Sequence, residues 1–129
     1  MHVFRYTKTT AAGWTPQLNK VIMKVITAIE NLKWSHNENG AAFFKDGKGK
    51  DWYEQRNALA DDKPIIVVDV ATRFIHMFWT GDPTMVTMPI PMIYESVHVY
   101  QLDKVDIDQQ EFFSKRWCFL NGQIVEKTD

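Results

Sequence analysis

Cysteine occurs once in this chain, at Cys118. A single thiol excludes an intramolecular disulfide and any structural zinc site that needs two or more thiolates, and makes a reducing cytosol the simplest setting. An excess of one charge is missing too. Fifteen basic residues stand against sixteen acidic ones, for a net charge of −1, so no overall field gathers nucleic acid or an anionic membrane. No apolar run approaches the roughly 18–20 residues that cross a bilayer. The opening "MHVFRYTKTT" also lacks the apolar core of roughly 7–15 residues that marks a secretory signal. The expectation is a soluble protein made without a cleaved leader. Internal repeats, heptads, low-complexity tracts and interdomain linkers are likewise missing.

Aromatic side chains are plentiful. The 129 residues include 8 Phe, 5 Trp and 4 Tyr in a composition that is 45% hydrophobic, enough for aromatic burial to replace disulfides or metals as the source of cohesion. At this length roughly two-thirds of the unfolded surface is buried on folding, which fits one domain spanning 1–129 with one core.

"HVFRYT" reads as a first strand. Thr15-Pro16 reads as a helix start, with the hydroxyl capping open N–H groups and proline in the first turn. From 16 to 33, Leu18, Val21, Ile22, Val25, Ile26, Ile29 and Leu32 recur every three or four residues, which predicts an amphipathic helix lying on a sheet. "SHNENG" ends it. "AAFF" is a brief strand and "KDGKGK" a polar bend. "DWYEQRNALADD" fits either a short helix capped by Asp51 or a hairpin arm. "KPIIVVDV" and "RFIHMFW" read as central strands, the apolar run Ile65–Val68 being buried on both faces or covered by the helix. Pro83, Pro89 and Pro91 make "TGDPTMVTMPIPM" a loop or an edge. "SVHVYQL" is a further strand, and "DKVDIDQQEFFSK" a linker or short helix.

Asn121-Gly122 tolerates the positive φ angles of a type I′ turn and closes a two-residue hairpin. In that register Leu120 faces Gln123, Phe119 faces Ile124 and Cys118 faces Val125. The fold class is therefore α+β: one amphipathic helix packed on a largely antiparallel β-sheet, with a C-terminal β-hairpin.

Catalytic signatures are weak. "DGKGKD" lacks the spacing of a phosphate loop, since Gly49-Lys50 is followed by Asp51 rather than Ser or Thr. It also fails as a calcium loop, with Lys48 and Lys50 at ligand positions. His76 and His98 on strands could join Asp51, Asp69 and Glu95 in a nuclease-like metal site, but no HExxH, HxH or paired-cysteine spacing supports one. Asp69 reads better as the residue that opens the turn "DVAT". Cys118, between Trp117 and Phe119, reads as a small buried hydrophobe. Lys48, Lys50, Trp52, Tyr53 and Arg56 could make a nucleic-acid stacking surface, yet Asp46, Asp51 and Glu54 interrupt its charge. Trp52, Tyr53, Arg56, Met85, Met88, Met92, Trp117 and Phe119 are of the types enriched at interface centres and are the candidate protein-contact residues.

In order, "FFKDGKGKDWYEQRNAL", "KPIIVVDVATRFIHMFWTGDP", "VYQLD" and "RWCFLNGQIV" resemble a module found in small proteins and fibre segments of tailed-bacteriophage tails. The resemblance covers about residues 41–126. A glycine often sits in the turn between that module's middle strands, where this chain has Val70-Ala71-Thr72. What it implies is a non-enzymatic structural or virion-assembly protein acting through protein contacts, as an oligomer, in the host cytoplasm or incorporated in the virion. It implies no cofactor and no catalytic residue, while the near-even charge speaks against a nucleic-acid partner. The other readings of the residues are a phage-encoded inhibitor that blocks a host protein, and the metal-dependent nuclease.

Overall fold

The computed structural model describes residues 6–9, 13–16 and 23–127. A small hairpin pairs β1 (Tyr6–Thr9) with β2 (Gly13–Pro16). Then follow β3 (Val25–Glu38), β4 (Ala41–Lys45), a short α1 (Trp52–Asn57), β5 (Ile65–Asp69), β6 (Ile75–Trp79), a 3₁₀ turn at Pro83–Met85, β7 (Val97–Leu102), a short α2 (Gln109–Ser114), β8 (Trp117–Leu120) and β9 (Gln123–Glu126). The order β4-β3-β7-β5-β6 forms one five-stranded sheet, antiparallel at every pairing, and β8-β9 form the terminal hairpin. The architecture is mainly antiparallel sheet with two short helices, broadly α+β.

The long amphipathic helix expected over 16–33 is not what the described residues of this segment form. Thr15 and Pro16 lie in β2, opposite Thr7 and Tyr6, and everything from Val25 to residue 33 is strand; positions 17–22 fall outside the described residues. The helix-like spacing has a strand explanation. Against β7, one extra residue enters β3 between Val25 and Thr27, and another between Ile29 and Leu32. Each bulge converts a spacing of two into a spacing of three, so Ile29 and Leu32 both point into one apolar layer. Asn31 occupies the second bulge at φ 59°. Val25 and Ile26 remain partly exposed, and the β-branched content of the segment favours extended backbone.

Two Asn-Gly pairs set the hairpins. Asn121 and Gly122 adopt φ 52° and 76°, and β8 pairs with β9 in the expected register. Asn39 and Gly40, at 52° and 80°, join β3 to β4 in the same way.

Both faces of the sheet are filled. Ile66, Val68, Ile75, Phe78, Tyr100 and Leu102 face a layer made by Phe112 of α2 and by Trp117, Phe119 and Ile124 of the hairpin. On the opposite face, Ile29, Leu32, Phe44, Ile65, Val67 and Val99 meet Trp52, Leu59, Val86 and Ile90, contributed by α1 and the Pro/Met loop. All five residues of β5 are buried, so its apolar run is explained by cover on both sides. The hairpin joins the sheet through a bridge from Cys118 to Phe74 and a bond from the Phe119 N–H to the Arg73 carbonyl (2.9 Å).

Among the described residues, no helix is long and apolar enough to cross a membrane.

Candidate docking surface

"DWYEQRNAL" resolves as the capped helix rather than a hairpin arm. Asp51 Oδ2 accepts from the Glu54 N–H at 3.0 Å, an N-cap that starts α1 and turns Trp52 inward. Tyr53 stays at the rim, where its hydroxyl donates to the Ala42 carbonyl (2.6 Å). Arg56 lies over the Tyr53 ring, 5.0 Å from its centroid. α1 packs against the 3₁₀ turn, bringing Tyr53 and Arg56 to the same side of the sheet as Met85 and Met88.

The Pro/Met loop is braced from within. Asp82 Oδ1 accepts from the N–H and hydroxyl of Thr84 (2.9 and 2.8 Å), and Asp82's own carbonyl accepts the Trp79 indole N–H at 2.8 Å. The Thr84 amide and hydroxyl hold the Asp82 carboxyl below its ordinary value, and the Arg56 charge adds to the effect. Further along, the Pro89 carbonyl accepts from both Ile93 and Tyr94. Val86 and Ile90 anchor the loop in the core, while Met85 (61% exposed), Met92 (93%) and Ile93 (61%) point out. Flexible, polarisable methionines held outward on a braced loop suit adaptable apolar contact.

Not all the candidate residues reach this surface. Trp52 (1% exposed), Trp117 (0%) and Phe119 (6%) are core residues, with Trp52 on one face of the sheet and the other two on the opposite face. Bulky aromatics beside turns pack inward here because each apolar layer needs a large filler. Tyr53 and Met88 are half-buried against the core, Arg56 is half-buried, and Met85 and Met92 are open. Ile93, next to Met92, was missed in the sequence, although extending the methionine series by one apolar neighbour would have reached it.

Asp51, Asp69, His76 and His98, weighed for a metal site, each have a partner of their own. Asp51 is a helix cap. Asp69 accepts from the Thr72 hydroxyl (2.6 Å) and from the amides of Thr72 and Ala71, the turn role read from "DVAT". His76 Nδ1 lies 3.3 Å from the Tyr94 hydroxyl, and His98 Nδ1 accepts the Asn31 N–H at 3.1 Å. Among the described residues, no three His, Cys, Asp or Glu side chains gather as a metal site. Burial pushes the Cys118 thiol up, against the pull of Lys127, which disfavours the thiolate. No family model matches the chain, and no curated protein matches it.

Two histidines shifted by burial are expected to make stability depend on pH. The Tyr100 hydroxyl donates to Glu30 Oε2 at 2.7 Å, and burial, reinforced by Glu30, pushes its pKa up to about 12. Beside it, burial lowers the His98 pKa from its ordinary 6.5; Glu30 pulls it back and Arg73 adds to the fall. The unfolded chain therefore takes up this proton first as pH drops, so the stability held by neutral His98 is present above about 6.5 and lost below it. Urea midpoints measured between about pH 7.5 and 5.5 should fall with acidification. His98→Gln should flatten that slope, leaving the part due to His76, whose pKa burial also lowers. An unchanged slope in the variant would rule out His98 as its source.

Proposed function

We propose that this chain is a non-enzymatic structural or virion-assembly protein of a tailed phage or prophage, working through protein contacts made by the Pro/Met loop. The observation that carries the contact role is the outward display of Met85, Met92 and Ile93 on a loop whose Val86 and Ile90 side chains are locked into the core. The phage assignment is supported by the ordered resemblance of segments 41–126 to tail modules. In this reading the partners are virion proteins and further copies of the chain.

The test is a triple substitution, Met85→Ser, Met92→Ser and Ile93→Ser. These side chains are exposed, so stability should change by no more than about 0.5 kcal/mol per site. Association with virion proteins, read by cross-linking mass spectrometry in phage-producing cells, should fall at least tenfold. A cross-linked host enzyme in place of virion proteins would favour the inhibitor reading. Light scattering that shows a dilution-stable monomer would remove the oligomeric part.

A further inference from the structure

The register of β3 and β4 sets Lys33 directly opposite Lys45. Like charges facing each other across an antiparallel pair destabilise it. Among the described residues, no carboxylate lies within ion-pairing distance of either ammonium group to offset that cost. The neighbouring turn adds Lys48 and Lys50. Two adjoining cavities, of about 450 and 310 Å³, share Asn31, Asp46 and Gly47 in their walls. Lys33, Trp34 and Lys45 line the first, and Lys48 and Lys50 the second, so together they form one open groove with four lysines along it.

Two carboxylates, Asp46 and Glu30, line the groove with the four lysines and offset part of their charge, for a formal net of +2. Asp46 Oδ1 accepts from the amides of Lys48 and Lys50, both at 2.9 Å, and Glu30 holds the Tyr100 hydroxyl. The same bonds remove the backbone amides that would cradle a compact phosphate. What remains is a row of flexible point charges, which suits phosphates repeated along a polymer. Trp34, 44% exposed, stands at one end with its indole N–H donated to Asn37 Oδ1 at 3.0 Å. A positioned indole beside lysines offers what single strands use: a platform for a base and counter-charges for the backbone. The sequence offered such a surface around Trp52 and disfavoured it for its acidic neighbours; Trp52 is buried, and the aromatic residue in the wall of this groove is Trp34.

We infer that this groove binds single-stranded nucleic acid without sequence preference. The assignment is independent of the Pro/Met loop and of the contacts proposed for it. With a net charge of −1, binding depends on the local lysines and is strongly salt-sensitive.

Fluorescence anisotropy of a labelled oligothymidylate of about 12 nucleotides, titrated with the full chain, tests it. Three or four neutralised phosphates give a log–log salt slope of about −2 to −3, so affinity falls by roughly 100- to 1,000-fold between about 20 and 200 mM salt. Lys33→Ala with Lys45→Ala should reduce the slope by about 1.4 and weaken binding at least tenfold, whereas the Lys→Arg pair keeps it. Trp34→Ala should weaken binding roughly tenfold without changing the slope. All these residues are exposed, and unchanged far-UV circular dichroism confirms that the variants fold. No binding at low salt, or binding indifferent to either Ala variant, overturns the inference. So does polyglutamate competing as well as the oligonucleotide, which would reassign the groove to acidic protein segments.

Discussion

Trp117→Ala should lower the unfolding free energy by about 3–5 kcal/mol, a large share of what a domain of this size possesses. The ring is fully enclosed and lies parallel to Phe112, with centroids 6.5 Å apart, and Phe112 in turn stacks on Phe78 of the sheet. Its indole N–H donates to the Phe112 carbonyl at 2.9 Å, within α2. Truncation opens a cavity where α2, the hairpin and the sheet meet, and it takes away the indole donor from that carbonyl. Urea denaturation followed by far-UV circular dichroism reads the loss. A change below about 1 kcal/mol would return Trp117 to the list of contact residues.

The second large effect is expected at Gln101, whose amide does the work of an extra piece of backbone. It is 1% exposed in the interior strand β7; its Oε1 accepts the Ala60 N–H at 3.0 Å and its Nε2 donates to the carbonyls of Ala60 (2.7 Å) and Lys63 (3.3 Å). The turn between α1 and β5 is thereby held to the sheet. Gln101→Leu preserves bulk but leaves Ala60 without a partner for either backbone group, costing about 2–4 kcal/mol. Amide exchange at Ala60 should accelerate in the same variant. If both stability and exchange stay at the parental values, the amide is not the tether.

Much of the sheet could be read from residue pattern alone. The run at 65–68, the strand before Leu102 and the register of the last hairpin follow from alternation and turn chemistry, which act over a few residues. β3 was misread because two bulges imitate a helical period, and bulges are set by the partner strand rather than by local propensity. The corrective signal was present: Asn39-Gly40 is the same dipeptide as Asn121-Gly122 and adopts nearly the same angles, yet the stripe upstream made it look like a helix terminator. At the candidate site, proline placement foretold that Met85 and Met92 sit on a loop. Which aromatics turn inward was not legible, since Trp52 goes into the core through the Asp51 cap and Tyr53, one residue on, does not. The Lys33–Lys45 juxtaposition was invisible for the same reason as the bulges: it exists only once β4 is laid against β3.

β5 gives its side chains alternately to the two apolar layers, so it acts as a shared wall between them. Loosening either layer strips one flank of that wall, and the other layer loses its backing. A pull on the methionine loop should therefore be felt, through β5, at the hairpin on the far side.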